Sequence, residues 1–192
     1  NNAVTEVIAY AGSTRESHSK NDLPAPPHIA GFFEKIPPRN CYFACIRPHP
    51  FGGGETGVLN LESILEKASS ALIDEWENKT YYLRTSKRLG NQIHPFKLLI
   101  YIEGLPFLRY RREYTEGFDS DPSLLELKKL VSDPDNHYKV LLGADEIIIH
   151  WNGAPHSRFS QVGATPEEES KRRKLIRCRT QPNYGWESHF QN

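Results

Sequence analysis

Two histidines beside an acidic pair have the character of metal ligands. Asp145, Glu146, His150 and His156 fall within DEIIIHWNGAPH (145–156). His150 ends an apolar stretch with strand character and His156 follows a turn. Both imidazoles can then reach one ion together with Asp145 or Glu103. A metal held there would activate water, which makes Asp145, His150 and His156 the candidate set for a metal-dependent hydrolase or nuclease. Their spacing matches no known metal motif, so the sequence by itself calls for no metal and no cofactor. His49, after a strand and beside glycines, is placed as a general base would be.

The cysteines form no pattern that carries chemistry. Cys41, Cys45 and Cys178 are an odd set without a C-x-x-C pair. Cys41, Cys45 and His49 recur every fourth residue on one strand face, too far apart for a disulfide or for a shared zinc without a bend. Buried free thiols in a reducing compartment are expected.

Gly52-Gly53-Gly54-Glu55-Thr56-Gly57 has the spacing G-x-G-x-x-G between a strand and a helix, where backbone N–H groups cradle phosphates. Pro48 and Pro50 interrupt the junction, and Glu55 places negative charge where phosphate would lie. A surface loop is the better reading.

Charge gives the sharpest pattern. The 192 residues hold 24 basic and 24 acidic side chains, so there is no overall pull toward nucleic acid or membrane. Residues 79–114, however, contain eight Lys or Arg against Glu103 and Glu113, interleaved with Tyr81, Tyr82, Tyr101, Phe107, Tyr110 and Tyr114. Acidic segments flank them at 55–78 and 113–136. Arginine beside tyrosine on a sheet surface suits single-stranded nucleic acid, because bases stack on rings and cations follow phosphates. The expected contact residues are Tyr82, Arg84, Lys87, Arg88, Arg109, Tyr110, Arg111 and Arg112. The acidic segments can also pair with this surface inside the fold. A second basic run, Lys171–Arg173 with Lys174, Arg177 and Arg179, follows Glu167–Glu169 at helical i,i+4 spacing and reads as a stabilised helix opened by Thr165-Pro166.

The elements that must position these residues alternate between strand and helix. Strands are expected near 4–10, 41–47, 80–85, 97–103, 107–114, 138–142 and 146–151, with hairpins around Gly104 and around Gly143-Ala144-Asp145. A short helix is expected at 28–36, stopped by Pro37 and Pro38. Asn60 caps a helix running to Trp76, and Pro122 after Asp121 opens another. The fold class is α+β: a mainly antiparallel sheet built from hairpins with about three helices packed on one side. Residues 1–40 read as an extended, loop-rich segment, 41–180 as one α+β domain and 181–192 as a tail. The chain has no methionine, which reads as a fragment of a longer protein. No apolar run is long enough to span a membrane and no secretory signal is visible, so an intracellular, cytoplasmic or nuclear place is expected.

The leading expectation is a non-catalytic nucleic-acid-binding domain of a larger protein, taking single-stranded RNA or DNA on the 80–114 surface. A protein-interaction domain, partnered by other segments or subunits of the parent protein, is the first alternative. The hydrolase or nuclease is the second.

Overall fold

Alternating buried and exposed side chains build two four-stranded antiparallel sheets. The computed structural model describes residues 4–8, 24–34, 36–87, 90–159, 168–180 and 190. One sheet contains β1 (Val4–Ile8), β3 (Asn40–Arg47), β10 (Ile147–Trp151) and β12 (Lys174–Arg179), in the order β1-β12-β3-β10. The other contains β2 (Ala25–His28), β4 (Thr56–Leu59), β9 (His137–Val140) and β11 (His156–Arg158), in the order β2-β11-β4-β9. Along β3 the period-2 alternation points Cys41, Phe43 and Cys45 inward. The inner faces meet at Phe43, whose ring centroid lies 5.1 Å from that of His156 on the other sheet.

The helices α1 (Leu61–Lys67), α2 (Ser70–Asn78) and α3 (Pro122–Ser132) pack with two hairpins around a second, larger core. Asn60 caps α1 by accepting the Ser63 N–H, and Asp121 caps α3 by accepting those of Ser123 and Leu124. The single helix expected from Asn60 to Trp76 is instead two. Ser69 accepts the Leu72 N–H and starts a new helix, so a local side-chain bond interrupts a continuous apolar stripe. Trp76 is wholly buried, and its indole N–H reaches the Ser123 carbonyl at 3.4 Å, which ties α2 to α3.

The hairpins are β5 (Thr80–Arg84) with β6 (Ile93–Lys97) and β7 (Leu99–Ile102) with β8 (Leu105–Leu108). The second turns on Glu103-Gly104, both at positive φ, as a two-residue hairpin requires. It is shorter than the sequence implied: the chain leaves β8 at Leu108, and Arg112–Tyr114 form a 3-10 turn.

Three expectations fail here. The described residues of 28–36 form no helix, His28 ending β2 and a turn following it. Residues 138–142 and 146–151 do not form a hairpin, since β9 pairs with β4 and β10 with β3. The turn between them is captured by β3: Cys45 N–H donates to Glu146 O and Asp145 N–H to Cys45 O, both at 2.8 Å. The last basic run is not helical either. Lys174–Arg179 are a strand in the middle of a sheet, and Thr165 and Pro166 lie outside the described residues. Helices combined with antiparallel sheets make the fold α+β. Among the described residues no helix is long and apolar enough to cross a membrane.

Candidate metal and anion site

Two cross-strand pairs face each other across the sandwich. On one sheet, Cys41 of β3 lies directly opposite His150 of β10. On the other, His28 of β2 lies directly opposite His156 of β11. Directly paired residues share a face, so each pair projects into the space between the sheets. His156 is common to both groupings, with ring centroids 4.5 Å from His28 and 5.0 Å from His150. Donor atoms of Cys41, His150 and His156 lie within 4.8 Å of one another, and all three residues are buried.

Asn152 fixes the two pairs relative to each other. Its Oδ1 accepts the Ala30 N–H at 2.8 Å, and its Nδ2 donates to the carbonyls of Ala30 and Pro38. The segment after His28 is thereby clamped to the chain just beyond His150. Burial without compensating charge keeps the imidazoles neutral. His156 is held well below the usual histidine range, first by burial and then by His28 and His150. His150 is lowered by burial, partly offset by its Nδ1 contact with the Trp151 carbonyl at 3.0 Å. Burial also pushes the Cys41 thiol up to about 12. His150 Nε2 and His156 Nδ1 are buried with no hydrogen-bond partner.

A cavity of about 60 Å³ opens beside this cluster, lined by His28, Phe43, His156, Arg158, Arg173 and Arg177 among others. Leu175 and Arg177 share one face of β12 by period-2 alternation, Arg173 just before the strand lines the same cavity, and Arg158 shares a face with His156 on β11. Burial lowers Arg173 from its ordinary value to about 10, and Arg158 adds repulsion. Arg177 is lowered by burial and by Arg179. Arg173 and Arg177 are thus desolvated cations on the cavity wall, an arrangement complementary to an anion. The glycine loop supports it. A side chain at Gly54, whose φ is +72°, would approach Arg173 Cδ to 3.2 Å. The loop is therefore a rest for an arginine.

The sequence-predicted residues are distributed differently. His150 and His156 come together, but Asp145 sits exposed in the turn two residues before β10, and His150 lies toward the far end of that strand. Glu103 is occupied by Arg39 at the far hairpin. His49 is buried, with Nδ1 on the Phe51 amide, and does not line the cavity. In the basic-aromatic segment Tyr82 and Lys87 are exposed, and Arg88 lies outside the described residues. Arg84 pairs with Glu116 and Arg112 with Asp119. Arg109 is desolvated, donates to the carbonyls of Phe32 and Glu34, and packs over the Phe96 ring. Tyr110 is core, edge-on to Phe118, and Arg111 lies over Tyr114. The acidic segment thus neutralises part of the basic one, and the rest is built into the protein.

Sequence reasoning missed His28, Cys41 as a site residue, and Arg158, Arg173 and Arg177. Cations alternating with Leu175 were a period-2 signal, overridden by acids at i,i+4 spacing.

No family model matches the sequence, and no curated protein matches it. Solved structures do. Asparagine oxygenase in complex with Fe(II), 2S,3S-3-hydroxyasparagine and succinate superposes with a TM-score of 0.78 at 19% identity, covering 93% of this chain and 56% of that one. The non-heme iron oxygenase OrfP in complex with Fe and alpha-ketoglutaric acid gives 0.73 at 16% identity, covering 94% and 56%. PvcB from Pseudomonas aeruginosa, an Fe, alpha-ketoglutarate dependent oxygenase from an isonitrile synthetic pathway, gives 0.64 at 21%, covering 92% and 63%. The likeness is one of fold, and this chain spans 56% to 63% of those chains. It corrects the functional expectation. A fold shared with iron oxygenases, with Arg109, Tyr110 and Arg111 packed inside, overturns the nucleic-acid-binding reading. With Asp145 remote from the histidines, the hydrolase reading falls too.

Proposed function

We propose that this chain carries the metal- and 2-oxoacid-binding core of a non-haem iron oxygenase. The observation that carries the reading is one cavity lined by His28 and His156 together with Arg158, Arg173 and Arg177. Imidazoles hold a late first-row divalent ion, and arginines hold the carboxylates of a small organic acid. The fold likeness supports the same assignment, since the similar structures hold Fe with succinate or alpha-ketoglutaric acid.

The residues fit an ion. His150 Nε2 and His156 Nδ1 are buried donors without partners, and burial keeps both rings neutral, as ligation requires. His150 and His156 would hold the metal, with His28 beside them. When bound, iron supplies the dioxygen chemistry that amino-acid side chains lack. The chain's own work is binding and exclusion. Arg177 on β12 and Arg173 just before it orient an acid, and Arg158 approaches from β11. Phe43, Val7 and Leu175 keep water from the cavity wall. Gly54 leaves Arg173 its place.

The test is calorimetric titration of the chain with 2-oxoglutarate under nitrogen, with and without Fe(II), followed by succinate formation in air. Binding should be tighter with Fe(II) and lost in Arg173→Ala/Arg177→Ala. No 2-oxoglutarate binding with or without Fe(II) would overturn the proposal.

A further inference from the structure

Resting on that reading of the site, we infer that Cys41 supplies its anionic metal ligand, giving a thiolate and two imidazoles from Cys41, His150 and His156. The non-haem iron oxygenase pattern known in general terms is two histidines and one carboxylate. Among the described residues no carboxylate joins this cluster, whereas a thiol does, within 4.8 Å of both histidine donors. Cys41 is 0% exposed, His150 8% and His156 4%. Two of the three residues carry an unpartnered, buried ring nitrogen.

Charge favours a thiolate at the ion. A divalent ion on neutral imidazoles alone would keep its full charge beside a space already bounded by Arg173 and Arg177. Repulsion between buried like charges is poorly screened. A thiolate offsets one unit of that charge at the ion itself. On coordination the S–H bond breaks, the sulfur pair forms the metal bond, and the proton leaves to solvent. The thiol's hydrogen bond in the metal-free protein is a long one, 3.6 Å to Asn152 Oδ1, an oxygen already held by the Ala30 N–H at 2.8 Å. Its loss costs little. The register that places Cys41 directly against His150 fixes the pair without a loop, so the ligands come from rigid strands.

Cobalt(II) is the probe, because a thiolate ligand gives an intense near-ultraviolet charge-transfer band that imidazoles do not. The full chain and the variants Cys41→Ser, Cys41→Ala, Cys45→Ser and Cys178→Ser are titrated with cobalt(II), with circular dichroism to confirm folding. The band is expected in the wild type, Cys45→Ser and Cys178→Ser. It should vanish in both Cys41 variants, with cobalt affinity at least about tenfold weaker. Should neither Cys41 variant fold, cobalt in the wild type still decides whether a thiolate is bound, and the Cys45 and Cys178 variants decide whether it is theirs. Cobalt binding without the band overturns the Cys41 assignment and leaves the imidazole site standing. A band that persists without Cys41, or disappears with Cys45 or Cys178, also overturns it. Absence of cobalt binding overturns this inference and the metal part of the proposed function together.

Discussion

Arg173→Met should stabilise the ligand-free protein while abolishing its response to ligand. Burial, with Arg158 nearby, lowers Arg173 from its ordinary value to about 10, by roughly two pKa units or more. At about 1.4 kcal/mol per pKa unit, the folded chain holds that charge at a cost on the order of 3 kcal/mol. The substitution keeps much of the aliphatic stem against Gly54 and removes the guanidinium. Some packing is lost, so the expected gain is about 1–3 kcal/mol, or roughly 2–10 °C in melting temperature for a chain of this size. The wild type should recover the cost through its ligand, gaining about 2.7 kcal/mol at 2-oxoglutarate a hundredfold above Kd. The variant should gain nothing. Urea denaturation with and without 2-oxoglutarate measures all four states. If Arg173→Met lowers ligand-free stability by about 1 kcal/mol or more, the arginine is paired within the fold. If the ligand still stabilises the variant as it does the wild type, Arg173 does not hold the acid.

Acid should destabilise the metal-free protein. His150 and His156 have folded pKa values below the ordinary 6.5, so below that pH the unfolded chain binds protons that the folded chain refuses. Stability is then full above about pH 6.5 and falls as pH drops toward the folded values. The slope is about 1.4 kcal/mol per pH unit for each histidine, read from urea midpoints between pH 7 and 5. Trp76→Ala should cost about 3–5 kcal/mol by the same assay, since it empties the core shared by α2 and α3. Gly54→Ala should weaken 2-oxoglutarate binding by displacing Arg173. Gly52→Ala, equally strained at φ +77° but facing open space, should leave affinity intact; calorimetry separates the two.

Local signals were legible in the sequence and long-range ones were not. The Asn60 and Asp121 caps, the Glu103-Gly104 turn and the inward face of β3 follow from neighbours within four residues. The pairing of β10 with β3 rather than β9 depends on backbone bonds from Cys45 to Asp145 and Glu146, about a hundred residues away in sequence. The candidate site is long-range in the same sense. His150 and His156 drew attention because they are close in sequence, and so did Asp145, which the strand carries away. His28 and Cys41 are brought in by two different sheets. Arg109 shows the opposite error: a cation among aromatics looks exposed, yet its stem and guanidinium are used in packing.

The strand order β1-β12-β3-β10 sets the sequence of assembly. β12 lies between β1 and β3, so β1 cannot join that sheet until residues 174–179 have left the ribosome, whereas β3 can already pair with β10. Two of the arginines that line the cavity, Arg173 and Arg177, arrive with that strand, after every histidine of the cluster. Until then β3 keeps one unpaired edge even with β10 in place, and closure of β1 onto β12 requires a contact spanning nearly the whole described chain. Folding should therefore be slow for the chain's size, with the anion site appearing in the final step.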